Sequence, residues 1–214
     1  MPSAAPSTTC ATYEGSAPPG TWAEVTALFV AAFAAAPYGE DPQELARIRT
    51  WGPTQLSHPG GRLTVARQGE QCAGFALVHG LVEDQPWQAI LATLAAHPAA
   101  VDALERPEDA LVVHEVAVHE GFRGRGVART LLREALRDRD EARVLIGVYE
   151  SAEDAVAMYE RWGLVRAGSF RGPDSDVTLL VLTSLTSDLS LRLSTPSKRV
   201  RVPGPVGDRG PPAP

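Results

Sequence analysis

The sequence predicts a mixed α/β fold, with helices flanking a sheet that is more antiparallel than parallel. Three observations predict it. Helix-like and strand-like stretches alternate along most of the 214 residues. Two strand-like runs, residues 62–67 and 72–78, are separated only by Gln68-Gly69-Glu70-Gln71, the spacing of an antiparallel hairpin. Residues 112–136 then read as strand, glycine-rich turn and helix, and a further strand, Arg143–Tyr149, follows. A hairpin preceding a strand–loop–helix–strand unit gives a mixed sheet rather than an all-parallel one.

Taken in order, residues 1–9 are rich in Ser, Pro and Ala and read as disordered. Residues 10–13 can form a short first strand. Thr21 and Glu24 have the spacing of a capping box ahead of a helix over residues 22–35, with Val25, Leu28, Phe29 and Phe33 on one face. That helix is apolar nearly all round, which fits deep burial or a subunit contact. A loop through Pro37, Tyr38, Gly39, Glu40 and Asp41 leads to a helix over residues 42–55, with proline in its first turn. After the hairpin, 81–86 reads as a loop. Trp87, Ile90, Leu91 and Leu94 mark a helix that ends before Pro98, and residues 98–104 suit another. A strand over 111–118 and a helix over 127–138 form the centre. Arg143–Tyr149 is a buried-type strand and 153–162 a helix closed by Gly163. Residues 168–174 read as a turn-rich link and 177–182 as the last strand. From Ser184 onward Ser, Thr, Pro and Gly dominate, so the domain spans 10–183 and residues 184–214 read as a disordered tail, with a short amphipathic piece at 189–193.

The composition narrows the function. A chain this long, 44% hydrophobic, holds one domain with an ordinary core. The net charge of -6 and pI of about 5.4 argue against nucleic acid as a partner, so attraction for phosphate has to be local. Cys10 and Cys72 match no metal spacing and make a poor disulfide framework. The N-terminus has no basic start or apolar run, and the most apolar window, 27–36, is too short to span a bilayer. The expectation is a soluble, cytoplasmic protein with no membrane partner.

The stretch 112–136, VVHEVAVHEGFRGRGVARTLLREAL, carries the chemistry. Val112, Val113, Val116 and Val118 suit a buried strand. Val127, Ala128, Leu131, Leu132, Ala135 and Leu136 recur at helical spacing. A glycine loop between them aims backbone N–H groups and the positive end of the helix dipole at one spot, which suits a phosphate. Arg123 and Arg125 add charge beside it.

Residues Arg123, Gly124, Arg125, Gly126, Val127 and Ala128 fit the Arg/Gln-x-x-Gly-x-Gly/Ala signature of the GNAT superfamily of acyl-CoA-dependent N-acetyltransferases. The preceding strand, ending in Val116, Ala117 and Val118, resembles that family's fourth. A second block is similar too: Arg143–Tyr149, then Ala155, Tyr159, Gly163 and Leu164 at the family's spacing. The resemblance covers roughly residues 23–182. It implies a twisted sheet splayed between strands four and five, with acetyl-CoA in the split as co-substrate. The pyrophosphate would rest on residues 123–128, and the pantetheine would pair with backbone at Val116 and Val118. The thioester carbonyl would lie near the amides of Val116, Ala117 and Val118. Tyr159 falls where a phenol commonly protonates the departing thiolate. Two residues depart from the pattern: Ala152 replaces a common asparagine and Glu120 a common proline.

The expected activity is transfer of an acetyl group from acetyl-CoA to a primary amine by direct attack in a ternary complex. Glu115 on the central strand is a candidate base; His114 and a water chain are alternatives. Strand alternation sends His114 and Glu115 to opposite faces unless a bulge intervenes. Histidines 114 and 119 lack the helical spacing of a zinc motif, and no metal is expected. Tyr38 and Glu40 lie where this family lines its acceptor site, and an acidic loop there would attract a cationic amine. The acceptor itself, a small molecule or a peptide amine, stays open. A homodimer is compatible with the apolar first helix. The competing reading is a non-catalytic acyl-CoA-sensing or partner-binding module on the same fold. A P-loop or dinucleotide protein is disfavoured, because neither fingerprint is complete.

Overall fold

A computed structural model of the chain describes residues 8–81, 86–94, 96–172 and 175–195. Seven strands form one sheet: β1 (Thr8–Glu14), β2 (Arg62–Gln68), β3 (Gln71–Gly80), β4 (Ala110–Val118), β5 (Arg143–Tyr149), β6 (Val165–Arg171) and β7 (Thr178–Leu185), in the order β1-β2-β3-β4-β5-β7-β6. Every neighbouring pair is antiparallel except β4 and β5. β2 and β3 are the expected hairpin. Their runs of consecutive buried residues are what a strand covered on both faces requires.

One face of the sheet carries α6 (Val127–Ala135), α7 (Glu153–Arg161) and α8 (Thr186–Ser194). Leu131, Leu132 and Ala135 of α6 and Val156 of α7 pack with Ala76, Val78, Val113 and Ile146 from the strands. Gly74 on β3 lets α6 come this close. A Cβ there would stand 2.8 Å from the Ala117 carbonyl oxygen and 2.9 Å from Leu131. The other face is covered in two parts. The helices α1 (Pro19–Phe33), α2 (Pro42–Leu45) and α3 (Ile48–Ser57) bury Trp22, Val25, Phe29, Leu45 and Ile48 against Leu63, Phe75, Leu77 and Ala117. Then α4 (Pro86–Thr93) and α5 (Pro98–Glu105) cover Val112, Leu145 and Val181.

Several expectations need correction. Thr21 does not cap α1. The helix starts at Pro19, where a proline needs no N–H partner, and Thr21 is buried inside its first turn. Glu24 instead holds Arg67 at 2.7 Å. The large apolar residues of α1 face inward and its exposed positions include Ala23, Ala27 and Ala31, so its all-round apolarity is small-residue surface. The single helix over 42–55 is two, broken at Ala46 and Arg47. The link at 168–174 is in large part strand β6. It sits at the sheet edge with only Ala167 buried, so it lacks the apolar run that marks the inner strands.

The tail begins later than Ser184. Ser184 and Leu185 complete β7, and α8 follows at once, with Leu189 0% and Leu193 1% exposed. Arg129 of α6 donates to the carbonyls of Leu193, Arg192 and Thr195 and so closes the last turn of α8. The expected amphipathic piece at 189–193 is part of this longer helix, which belongs to the domain and not to the tail. Residues 1–7, most of the 81–86 loop, and Lys198, Arg199 and Arg201 lie outside the described residues.

Candidate active site

The β4–β5 pair is where the sheet opens. Register holds from Ala110↔Arg143 to Val113↔Ile146 and stops there, although β4 runs five residues further and β5 three. β4 remains paired with β3 to Val118, so the split lies on its β5 side. The backbone direction along this edge follows from one bond. His119 donates its N–H to Ala73 O on the β3 side. Antiparallel alternation then turns Glu115 and Ala117 backbone groups to β3, and Val116 and Val118 to the split. Of the three expected strand residues, Ala117 therefore lies away from the edge: its side chain is 3% exposed in the α1/α3 core.

A bulge interrupts β4 at the same level. Leu77 faces Glu115 but Val78 faces Val113, which leaves His114 as the extra residue. Val113 and Val116, three apart, consequently share one core cluster. The bulge separates His114 from Glu115 by environment. His114 turns to β3 and α3: its Nδ1 lies 3.3 Å from His79 Nε2, and its ring meets Trp51 at 5.3 Å. His79 Nδ1 sits 2.7 Å from the Gly80 carbonyl, which can only accept, so His79 carries its proton there and receives one from His114. Burial lowers both imidazoles, His114 to about 4. His114 is thus a neutral, packed histidine in the wall of the site.

Glu115 has different neighbours: Glu40 and Tyr38 on the loop after α1, Tyr149 on β5 and Tyr159 on α7. It is half-buried, and burial followed by the negative charge of Glu40 raises its carboxyl to about 8. Among the described residues no cation offsets this. Glu40 arrives on the loop between α1 and α2, tied to the end of α1 by Glu40 N–H→Phe33 O at 3.0 Å. Tyr38, on the same loop, stacks between Phe33 at 4.5 Å and Tyr149 at 5.5 Å. Tyr149, the last residue of β5, donates its hydroxyl to the Glu40 carboxylate; burial and that contact raise it to about 12. Tyr159 comes from α7, is 6% exposed, and packs edge-on against Trp162 at 5.7 Å. Burial first, then Tyr38 and Glu115, push its phenol well above the usual range. Glu115, Tyr159, Tyr38 and Glu40, distant in sequence, thus meet at the opening, and Tyr149 joins them. Sequence reasoning took Tyr149 only as a strand end. Its position as the last residue of the strand on the far side of a split was the available signal.

At the far end of β4 the chain makes a 3-10 turn, Glu120–Phe122, and enters α6 through Gly124 (φ 71°) and Gly126 (φ 81°). Both are left-handed, a conformation that favours glycine, and both face open space. Gly126 is the N-cap of α6, yet no side chain caps the helix and its first turn carries no acid. The N–H groups of that turn are open to an anion from outside. Arg125 lies over the Phe122 ring at 5.7 Å, and Arg123 Nε donates to Val118 O at 3.2 Å, bracing the loop against the strand. Both arginines are exposed at the mouth. Val127 is buried under the loop and Ala128 half-buried. Among the described residues no group of His, Cys, Asp or Glu is arranged to hold a metal ion.

A sheet split beside its one parallel pair, with an uncapped helix N-terminus at the end of the central strand, is the architecture of acetyltransferases. The sequence model described as the acetyltransferase (GNAT) family matches residues 22–164, and the chain belongs to that family. No curated protein matches the chain. Solved structures share the fold at low identity. The ribosomal-protein-S18-alanine N-acetyltransferase of Escherichia coli is 16% identical, with 84% of this chain and 94% of that one covered and a TM-score of 0.55. A putative GNAT acetyltransferase of Desulfovibrio desulfuricans is 14% identical, with 83% and 99% covered and a TM-score of 0.59. An N-acetyltransferase of Staphylococcus aureus Mu50 is 16% identical over 83% and 99%, with a TM-score of 0.53.

Proposed function

We propose that this acetyltransferase moves the acetyl group of acetyl-CoA to a primary amine by direct attack, with Glu115 as base and Tyr159 as acid. The observation that carries the reading is the meeting of Glu115 and Tyr159 in the β4–β5 split, from two different elements, with the open N-terminus of α6 at its end. The residues present suit the co-substrate. The first-turn N–H groups of α6, beside Arg123 and Arg125, would hold the pyrophosphate, and the backbone of Val116 and Val118 would pair with the pantetheine arm. Acetyl-CoA supplies the activated thioester and the thiol leaving group. Glu115 takes the proton that the attacking nitrogen must lose, which turns an ammonium into a nucleophile. Tyr159 gives a proton to the departing sulfur. Burial keeps Tyr159 a phenol across the neutral range, so it is a donor, and a sulfur anion formed in the same dry split has its own proton affinity raised by desolvation.

The deciding experiment is a thiol-release assay with acetyl-CoA over a chemically diverse amine panel. Binding of acetyl-CoA without release to any amine would leave the fold as a sensing module and reject the enzyme. Tyr159→Phe is expected to lower kcat roughly 100-fold, with acetyl-CoA affinity by calorimetry changed less than about twofold. An unchanged kcat removes Tyr159 from the chemistry. Gly126→Val should act on binding instead. A β-branched residue at that left-handed N-cap costs on the order of 1–3 kcal/mol of strain, so acetyl-CoA affinity should fall about tenfold or more.

A further inference from the structure

We infer that Lys198, Arg199 and Arg201, just past the end of α8, bind the phosphates of the co-substrate and complete an anion site that the N-terminus of α6 and the arginines of the glycine loop begin. The inference rests on the acetyl-CoA reading for the identity of the ligand, and on where α8 ends for its placement. Arg129 sets that placement. It is the third residue of α6, so it belongs to the uncapped first turn beside the loop. Its guanidinium goes to α8: Nε donates to Leu193 O at 2.8 Å, and Nη2 donates to Arg192 O at 2.6 Å and to Thr195 O. The other end of α8, Thr186 and Ser187, lines one cavity with Leu136 and Arg137 past the far end of α6. The two helices therefore run antiparallel, and α8 ends within one arginine side chain of the α6 first turn.

The sequence past that point is a second, independent observation. Thr195 is the last described residue of the C-terminal segment, and Pro196-Ser197-Lys198-Arg199-Val200-Arg201 follows it. A chain covers at most about 3.5 Å per residue, so Lys198 stays within about 10 Å of Thr195 and Arg201 within about 20 Å. Three cations in four residues are thus tethered near the α6 N-terminus, and tethering raises their effective concentration there. They reverse the local sign in a chain of net charge -6, which by itself repels a polyanion. The ligand carries the matching charge, a pyrophosphate and a 3′-phosphate monoester at one end of an uncharged pantetheine arm. Arg123 and Arg125 are exposed at the mouth to meet it. The first turn's own arginine, Arg129, is committed to the α8 carbonyls instead. Arg129 in this account is a positioning residue, and Lys198, Arg199 and Arg201 are the binding residues.

The test is calorimetry of the full-length chain with acetyl-CoA, 3′-dephospho-acetyl-CoA and S-acetylpantetheine. Lys198→Gln, Arg199→Gln and Arg201→Gln made together should weaken acetyl-CoA binding about tenfold at low salt. Most of that difference should vanish at about 0.5 M salt, where exposed charges are screened. S-acetylpantetheine has no phosphate and should bind the triple variant and the wild-type protein alike. A loss that persists with the 3′-dephospho compound assigns the contact to the pyrophosphate, and one that disappears assigns it to the 3′-phosphate. Arg129→Gln should weaken acetyl-CoA binding in the wild-type background and add little in the triple variant, a coupling that a purely structural role does not produce. Equal acetyl-CoA affinity in the triple variant and the wild-type protein overturns the inference and leaves the acetyl-CoA reading standing. An equal loss for S-acetylpantetheine also overturns it, because the substitutions then act without the phosphates. Absence of acetyl-CoA binding to the wild-type protein overturns both.

Discussion

Glu115→Gln is expected to lower kcat/KM for an alkyl amine by about 100-fold or more, the usual scale for a general base, and to change its pH dependence. In the wild-type protein the carboxyl sits at about 8. The acceptor must lose one proton before it attacks, and Glu115 can take it only when ionised. The rate should therefore rise with pH and level above about 8. In the glutamine variant that limb disappears, and the remaining rate should follow ionisation of the amine itself, at roughly 10 for an alkyl amine. Stability moves in the opposite sense. The folded pKa lies above the unfolded value of 4.5, so between 4.5 and about 8 the folded protein keeps a proton that the unfolded chain releases. Stability from this site is thus full below 4.5 and is lost as pH rises to about 8. Glu115→Gln has no such term, and its melting temperature relative to wild type should climb from pH 5 to pH 9. Retention of the limb near 8 in the variant would assign it to another group.

A chain ended at Leu185 is expected to lose cooperative unfolding or most of its stability relative to one ended at Thr195. Leu189 and Leu193 of α8 are fully buried against α6 and the strands. Each contributes about 1.5–3 kcal/mol by burial alone. The sum of roughly 3–6 kcal/mol is comparable to the total stability of about 5–15 kcal/mol for an ordinary domain. The loss also removes the carbonyls of Arg192, Leu193 and Thr195, to which Arg129 donates. Urea denaturation followed by near-ultraviolet circular dichroism reads this directly. Equal midpoints for the two truncations would mean that α8 adds nothing to the core.

The same helix shows where local sequence stops being informative. A stretch with strong periodicity was legible without its neighbours. Leu131, Leu132 and Ala135 mark α6, and the valines of β4 mark a buried strand. In each case burial requires a pattern that the chain must carry itself. The glycine loop was legible for a related reason, since left-handed backbone at Gly124 and Gly126 favours glycine in the sequence. By contrast α8 and β6 have short, diluted apolar patterns. Leu189 and Leu193 become core only because Arg129 and the α6 face are there to receive them. β6 is an edge strand that needs one buried residue, Ala167, and not a run. The split of 42–55 into α2 and α3 likewise leaves no clear mark in composition.

The active site divides along the same line. By itself the sequence determined the mixed sheet, the phosphate-suited loop at 123–128, and a short set of ionisable residues: Glu115, His114, Tyr159, Tyr38 and Glu40. It could not choose between Glu115 and His114, because strict alternation has only two faces and a bulge is a property of pairing with β3, not of β4 alone. Tertiary structure gives the two different neighbours, packing His114 on His79 and Trp51 and setting Glu115 near Glu40. It also brought Tyr149 to Glu40 across more than 100 residues of chain. The physical reason is general. Periodicity records whether a side chain is buried, since burial is set by the regular geometry of its own element. Which charge it faces, and so which proton it holds, depends on elements far away in sequence.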